Sequence, residues 1–214
     1  MPDTYRRRVL TFGAAALLSF PAGVGGVSVP AAEQAVQAPG SPAAKPPAGE
    51  QPVNPDAKAL AGFLERVHRY VAVHQKLENS LPRLSKESSP QEIDKHQRAL
   101  GQMIQQERRS AQAGDIFTTE SQAVIKRLLE KVFAGSDGSA LKASIMDENP
   151  GIAGLKVNQR YPDTVPLSTV PPQVLEGLPK LPEEMEFRFI GTTLILMDVH
   201  AHLVADLIPN AFSR

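Results

Sequence analysis

Glu186-Phe187-Arg188-Phe189-Ile190-Gly191-Thr192-Thr193-Leu194-Ile195-Leu196-Met197-Asp198 is the stretch that decides the fold. Polar and apolar residues alternate from Glu186 to Ile190, the pattern of a strand with one buried face. Gly191-Thr192 can turn the chain, and Thr193 to Asp198 is a second, almost wholly apolar strand. A third run, Leu203-Val204-Ala205-Asp206-Leu207-Ile208, follows after four residues. Connections this short join antiparallel neighbours, so residues 185–209 read as a β-meander. Two or three strands are marginal alone, and the sheet must pack on helices or on another chain.

The helices for that packing lie upstream. Asn54-Pro55 supplies a capping residue followed by proline at the first helical position. Leu60, Phe63, Leu64, Val67, Tyr70, Val71, His74, Leu77 and Leu81 then recur at helical spacing, up to Pro82. Ser89-Pro90-Gln91-Glu92 is a capping box that opens a second helix, with Ile93, His96, Leu100, Met103 and Ile104 on one stripe and Gly114 as the stop. Thr119-Glu120-Ser121-Gln122 reads as another capping box, ahead of Val124 to Phe133 and a C-terminal cap at Gly135. A fourth helix spans about Ser139 to Glu148.

Between helices and strands, residues 150–184 change character. Six prolines fall between Tyr161 and Pro182, interleaved with Leu167, Val170, Val174, Leu175, Leu178 and Leu181. Such a stretch is too proline-rich for regular elements and too apolar for a linker. It is expected to wrap along the core, with one helical turn near Gln173 to Glu176. The fold class expected is therefore α+β in one domain, residues 55–214. An antiparallel layer of three or four helices (55–149) leads through the proline-rich wrap to a small C-terminal antiparallel meander.

Residues 1–31 read as an export leader. Arg6-Arg7-Arg8 precedes the short apolar run Phe12 to Leu18, and small residues follow up to Val29-Pro30-Ala31. The run is too short and too interrupted by glycine to anchor in a bilayer. Two arginines ahead of Val9-Leu10 also fit twin-arginine export, the alternative being an ordinary Sec leader. The expected location is periplasmic or secreted. Residues 32–54 are rich in Ala, Pro, Gln and Gly and read as a disordered linker. The chain has no cysteine, so no disulfide framework or lipidated cysteine is available.

The whole chain carries 23 basic and 23 acidic residues. Loss of the leader leaves 20 and 22. That balance offers no footprint for nucleic acid, and the absence of Trp argues against a stacking platform. The partners expected are an unknown protein or small molecule of the envelope, with no nucleic acid and no stable membrane anchor after leader cleavage.

Arg160-Tyr161-Pro162, Leu178-Pro179-Lys180-Leu181-Pro182-Glu183-Glu184 and Phe187-Arg188-Phe189-Ile190-Gly191, with Leu194 to Ala201, resemble a group of uncharacterised exported bacterial proteins. The last strands are also similar to the C-terminal hairpin of periplasmic nickel/cobalt homeostasis proteins of the RcnB type, in which a Gly-containing turn precedes an apolar strand ending in Asp. These resemblances imply export and, for the second, an envelope metal context. Neither brings catalytic residues with it, and the chain lacks a His-rich tract.

Asp198-Val199-His200-Ala201-His202 is the sharpest chemical candidate. In a strand, alternate residues share a face, so Asp198, His200 and His202 can converge on one divalent ion. The run resembles the first metal-binding strand of amidohydrolases, but such a barrel needs some 200 residues more, and twelve follow His202. The tail reads more naturally with Asp198 ending a strand and both histidines in a turn. His68 and His74 are six apart on their helix and do not meet; His74 and His96 fit core or hydrogen-bonding roles. Glu183, Glu184 and Glu186 read as a solvated, charged guard of the first strand. Ser136 and Ser139 lack the strand–turn–helix setting of a nucleophile elbow, and Asp137 lacks the acidic ladder of a calcium loop.

No cofactor motif is present. The leading functional expectation is a non-enzymatic exported binding or envelope-interaction module. The alternative is a metal-dependent hydrolase or metal-handling protein using Asp198, His200 and His202.

Overall fold

The computed structural model describes residues 54–149, 151, 154–166 and 168–213. The leader (1–31) and nearly all of the linker (32–54) lie outside the described residues. Five helices precede a three-stranded sheet: α1 (Pro55–Glu78), α2 (Pro90–Glu107), α3 (Thr119–Phe133), α4 (Gly138–Glu148), α5 (Pro172–Gly177), β1 (Met185–Ile190), β2 (Thr193–Asp198) and β3 (Leu203–Ile208). The fold is α+β with a C-terminal meander, strand order β1-β2-β3, all antiparallel.

Local chemistry sets most helix starts. The Asn54 side chain accepts from Asp56 N–H, ahead of Pro55. Ser89 and Glu92 close a reciprocal capping box. The α3 cap is Thr118, one residue earlier than the capping box read at Thr119, and its hydroxyl accepts from Ser121 N–H. The C-cap of α3 is Ala134, in a right-handed conformation, so Gly135 follows the cap rather than forming it. Helix α1 ends at Glu78, short of Leu81, and α2 at Glu107, well before Gly114.

The sheet is buried on both faces. Phe187, Phe189, Leu194, Leu196, Leu203, Ala205 and Ile208 meet the helical core, where Phe63 stacks on Phe117 with centroids 5.0 Å apart. Ile190, Ile195, Met197 and Val204 face the other way and join Tyr161 in a second cluster with Leu155 and Val165 from the chain ahead of α5. That stretch is the expected wrap, and it supplies the second cover. Tyr161 is fully buried; its hydroxyl donates to Pro166 O (2.9 Å) and accepts from Asn149 Nδ2 (3.0 Å), tying the wrap to the end of α4. The wrap also pairs with β3, through Val204 N–H to Gln159 O (2.9 Å) and Tyr161 N–H to His202 O (2.9 Å).

A bulge shifts the β2–β3 register between Leu196 and Met197. It puts Ala205 and Asp206 on the helix side consecutively, where strict alternation would have sent Asp206 outward. The buried Asp206 carboxylate accepts from the backbone N–H groups of Gly114 (3.0 Å), Ile116 (2.8 Å) and Phe117 (2.8 Å), fixing the α2–α3 loop to the sheet. Burial pushes this carboxyl above the ordinary aspartate range, against the opposing pull of its N–H donors.

Two glycines permit close backbone approach. A Cβ on Gly101 of α2 would lie 3.1 Å from Ala201 O, where the helix presses on the β2–β3 turn. A Cβ on Gly138 would lie 1.9 Å from Phe133 O, so the α3–α4 junction excludes any larger residue. Gly138→Ala is therefore expected to cost about 1–3 kcal/mol, read as a lower urea midpoint at unchanged m-value.

Candidate functional site

The site begins with the pleat. Leu194 and Leu196 face the helices, so Asp198, two residues on, points the same way. It arrives against α1 with no exposed surface, and three donors meet it. Tyr70 Oη donates to Oδ2 at 2.8 Å, His74 Nδ1 lies 2.6 Å from the same oxygen, and Ala201 N–H donates to Oδ1 at 2.8 Å. The last bond folds the turn after β2 back over the strand end.

His74 is fully buried on the inner stripe of α1. One helical turn later comes Glu78, on the same face because neighbours on a helix surface lie four apart. Glu78 Oε2 is 3.3 Å from His74 Nε2. The turn 199–202 brings His200 over the same carboxylate, with Nδ1 3.2 Å from Glu78 Oε1 and the two imidazole centroids 5.3 Å apart. One ligand atom from each of His74, Glu78 and His200 lies within 4.8 Å of the other two.

His74 thus has a carboxylate at each ring nitrogen. Burial works against its imidazolium form, but the hydrogen bond and charge of Asp198 and the charge of Glu78 outweigh burial and raise its pKa above the ordinary histidine value. Two states satisfy the ring. It donates a proton at both nitrogens, or it donates at Nδ1 to Asp198 and turns the Nε2 lone pair on a cation. The second arrangement is that of metal-bound histidines, whose other nitrogen donates to a carboxylate that holds the ring in place. Ligand atoms about 2.1 Å from a tetrahedral ion stand roughly 3.4 Å apart. The 3.2 and 3.3 Å separations run to different oxygens of Glu78, so its carboxylate spans the two imidazoles, and one ligand atom from each of the three residues lies within 4.8 Å of the others, a looser set than that spacing. The Tyr70 hydroxyl is pushed far up by burial and by the Asp198 charge, so it remains a donor.

The candidates Asp198, His200 and His202 therefore divide. Among the described residues they do not form a group whose ligand atoms lie within 4.8 Å; His200 does so with His74 and Glu78. Asp198 lies behind His74, and His202 takes a left-handed backbone (φ 51°) at the turn's end. There the His202 ring meets Tyr161 edge-on (centroids 5.6 Å), with Nε2 3.9 Å from Asp163. Burial and the Arg160 charge lower the His202 pKa. Glu184 is buried, accepting from Gln75 Nε2 at 2.6 Å, whereas the sequence had placed it in a solvated guard. Glu186 pairs with Arg188, and Glu183 is exposed.

By sequence alone His74 reads as a core histidine of the α1 stripe, and nothing singles out Glu78 except the His74-x-x-x-Glu78 spacing, which on a helix brings two ligands to one face. Comparison with protein-family models, curated proteins and solved structures found no match to this chain.

Asp198→Ala leaves a buried histidine and a tyrosine hydroxyl without their acceptor and is expected to cost about 3–5 kcal/mol in urea unfolding. His74 holds its proton more tightly folded than unfolded. In chelator-treated protein its contribution to stability is complete below about pH 6.5 and is lost as pH rises through the folded-state value. The melting temperature is expected to fall over that alkaline-side window, and His74→Gln to flatten the slope.

Proposed function

We propose that this is an exported, non-enzymatic metal-binding protein that holds one divalent transition ion through His74 Nε2, Glu78 and His200 Nδ1. The observation that carries the reading is the orientation of His74: a buried carboxylate takes its Nδ1, and its Nε2 converges with an acid and a second imidazole. Imidazole with one carboxylate suits zinc, cobalt, nickel or copper rather than calcium or magnesium. Export rests on the basic-then-apolar leader pattern of residues 1–31. The similarity of the last strands to nickel/cobalt homeostasis proteins agrees with an envelope metal role, now using His200 with residues of α1.

A metal-dependent hydrolase is the second reading. It is favoured by the half-exposed His200 side chain (44%), which leaves coordination positions on that side open to water. Both readings share the ligand set and part on turnover.

The test is elemental analysis and isothermal titration of the mature protein with Zn(II) and Co(II). One equivalent is expected. Asp198→Asn, which keeps the packing, is expected to weaken binding by roughly 10–100-fold, and His200→Ala by more, at unchanged circular dichroism. Absence of binding to folded protein overturns the proposal. Hydrolysis of p-nitrophenyl acetate by the metal-loaded protein, lost in His200→Ala, selects the hydrolase.

A further inference from the structure

Glu78, one of the three candidate ligands, also lines an open cleft of about 320 Å³ with Asn79, Arg83, Leu84 and His96. Its walls come from the end of α1, the α1–α2 connection and the first turns of α2. The cleft is open to solvent and wide enough to admit a small organic anion.

The chemistry of the walls is uneven. Arg83 is exposed and makes no ion pair or side-chain hydrogen bond among the described residues. His96 is half-buried, and its ring nitrogens likewise have no hydrogen-bond partner there. The 4.8 Å group of His74, Glu78 and His200 does not include it, so it does not complete the coordination in this arrangement. Glu78 is the one acid in the lining. A divalent ion on Glu78 would offset that charge and leave Arg83, with the metal's own excess charge, facing the same space.

We infer that the ion is bound together with a small polycarboxylate, one carboxylate completing the coordination beside Glu78 and a second reaching Arg83 and His96. This rests on the metal reading above. A planar guanidinium recognises a carboxylate with two parallel hydrogen bonds, and an imidazole N–H can add a third. A single-group anion such as acetate can occupy the metal or Arg83 but does not link them. Two acidic groups on one short carbon frame do. Anion capture is expected to depend on the metal, because without it Glu78 opposes a second carboxylate.

Equilibrium dialysis of radiolabelled citrate against the mature protein, with and without one equivalent of Co(II), tests this. Citrate is expected to be retained at one equivalent only with cobalt, and Arg83→Ala to weaken its retention about tenfold. Arg83→Lys, which keeps the charge but not the fork, is expected to recover only part of that loss. Cobalt held by the protein while citrate stays free overturns this inference and leaves the metal site standing. Citrate that strips cobalt from the protein overturns it as well. Cobalt that fails to bind in a citrate-free control overturns the metal site and this inference together. Citrate bound equally without cobalt, or displaced by equimolar inorganic phosphate, also overturns it, since the pocket would then be a simple anion site.

Discussion

A carboxylate with no access to water is the constraint on which the rest of this structure depends. Asp198 ends β2 inside the core, where an unmatched charge would cost several kcal/mol. Its three donors come from different parts of the chain: Tyr70 and His74 from α1, and the Ala201 backbone from the turn that leads to β3. Satisfying one side chain therefore fixes how far α1 slides along the sheet and how the β2–β3 turn folds over it. Gly101 lets α2 close on that same turn, and Arg108 of the α2 C-cap lies over the Tyr70 ring at 4.8 Å while donating to Ala205 O. Helices and sheet are thus joined through polar groups that each have a partner.

The same device recurs at Asp206. There the bulge turns an acid inward, and three backbone N–H groups of the α2–α3 loop meet it. The two aspartates differ in what surrounds them. Asp206 is met by backbone donors and serves to hold a loop. Asp198 is met by an imidazole whose other nitrogen meets Glu78, the carboxylate that His200 also approaches. The buried Asp198 on one side and the partly exposed Glu78 and His200 on the other give the cluster direction, with the inner carboxylate orienting the His74 ring. A rigid inner partner of this kind lowers the cost of organising a site before a ligand binds.

Much of the fold was legible in the sequence because its signals are local. The alternation at Glu186 to Ile190, the Gly191-Thr192 turn and the apolar runs of β2 and β3 mark three strands. Ser89 and Glu92 cap α2 through atoms three residues apart. Less legible were boundaries set by packing. Leu81 continues the apolar period of α1, yet the helix stops at Glu78. Ile93 lies on the α2 stripe but is 47% exposed, because the inner face of that helix is built on Leu100, Gly101 and Ile104. Glu184 looked like surface charge beside Glu183, and only the approach of Gln75 from α1 explains its burial.

By itself the sequence determined the element types, the meander and the turn that carries His200 and His202, since hydrogen bonds and side-chain periods within about ten residues specify these. It also determined which groups were available for chemistry. The tertiary structure alone decided which of them meet. His74 and Asp198 are separated by 124 residues, and no local pattern relates them. Their meeting follows from the pleat of β2, the rotation of α1 and the need to match a buried charge. That need turns Asp198 toward a histidine and a tyrosine of α1, while His200 meets the outer edge of the same histidine through Glu78.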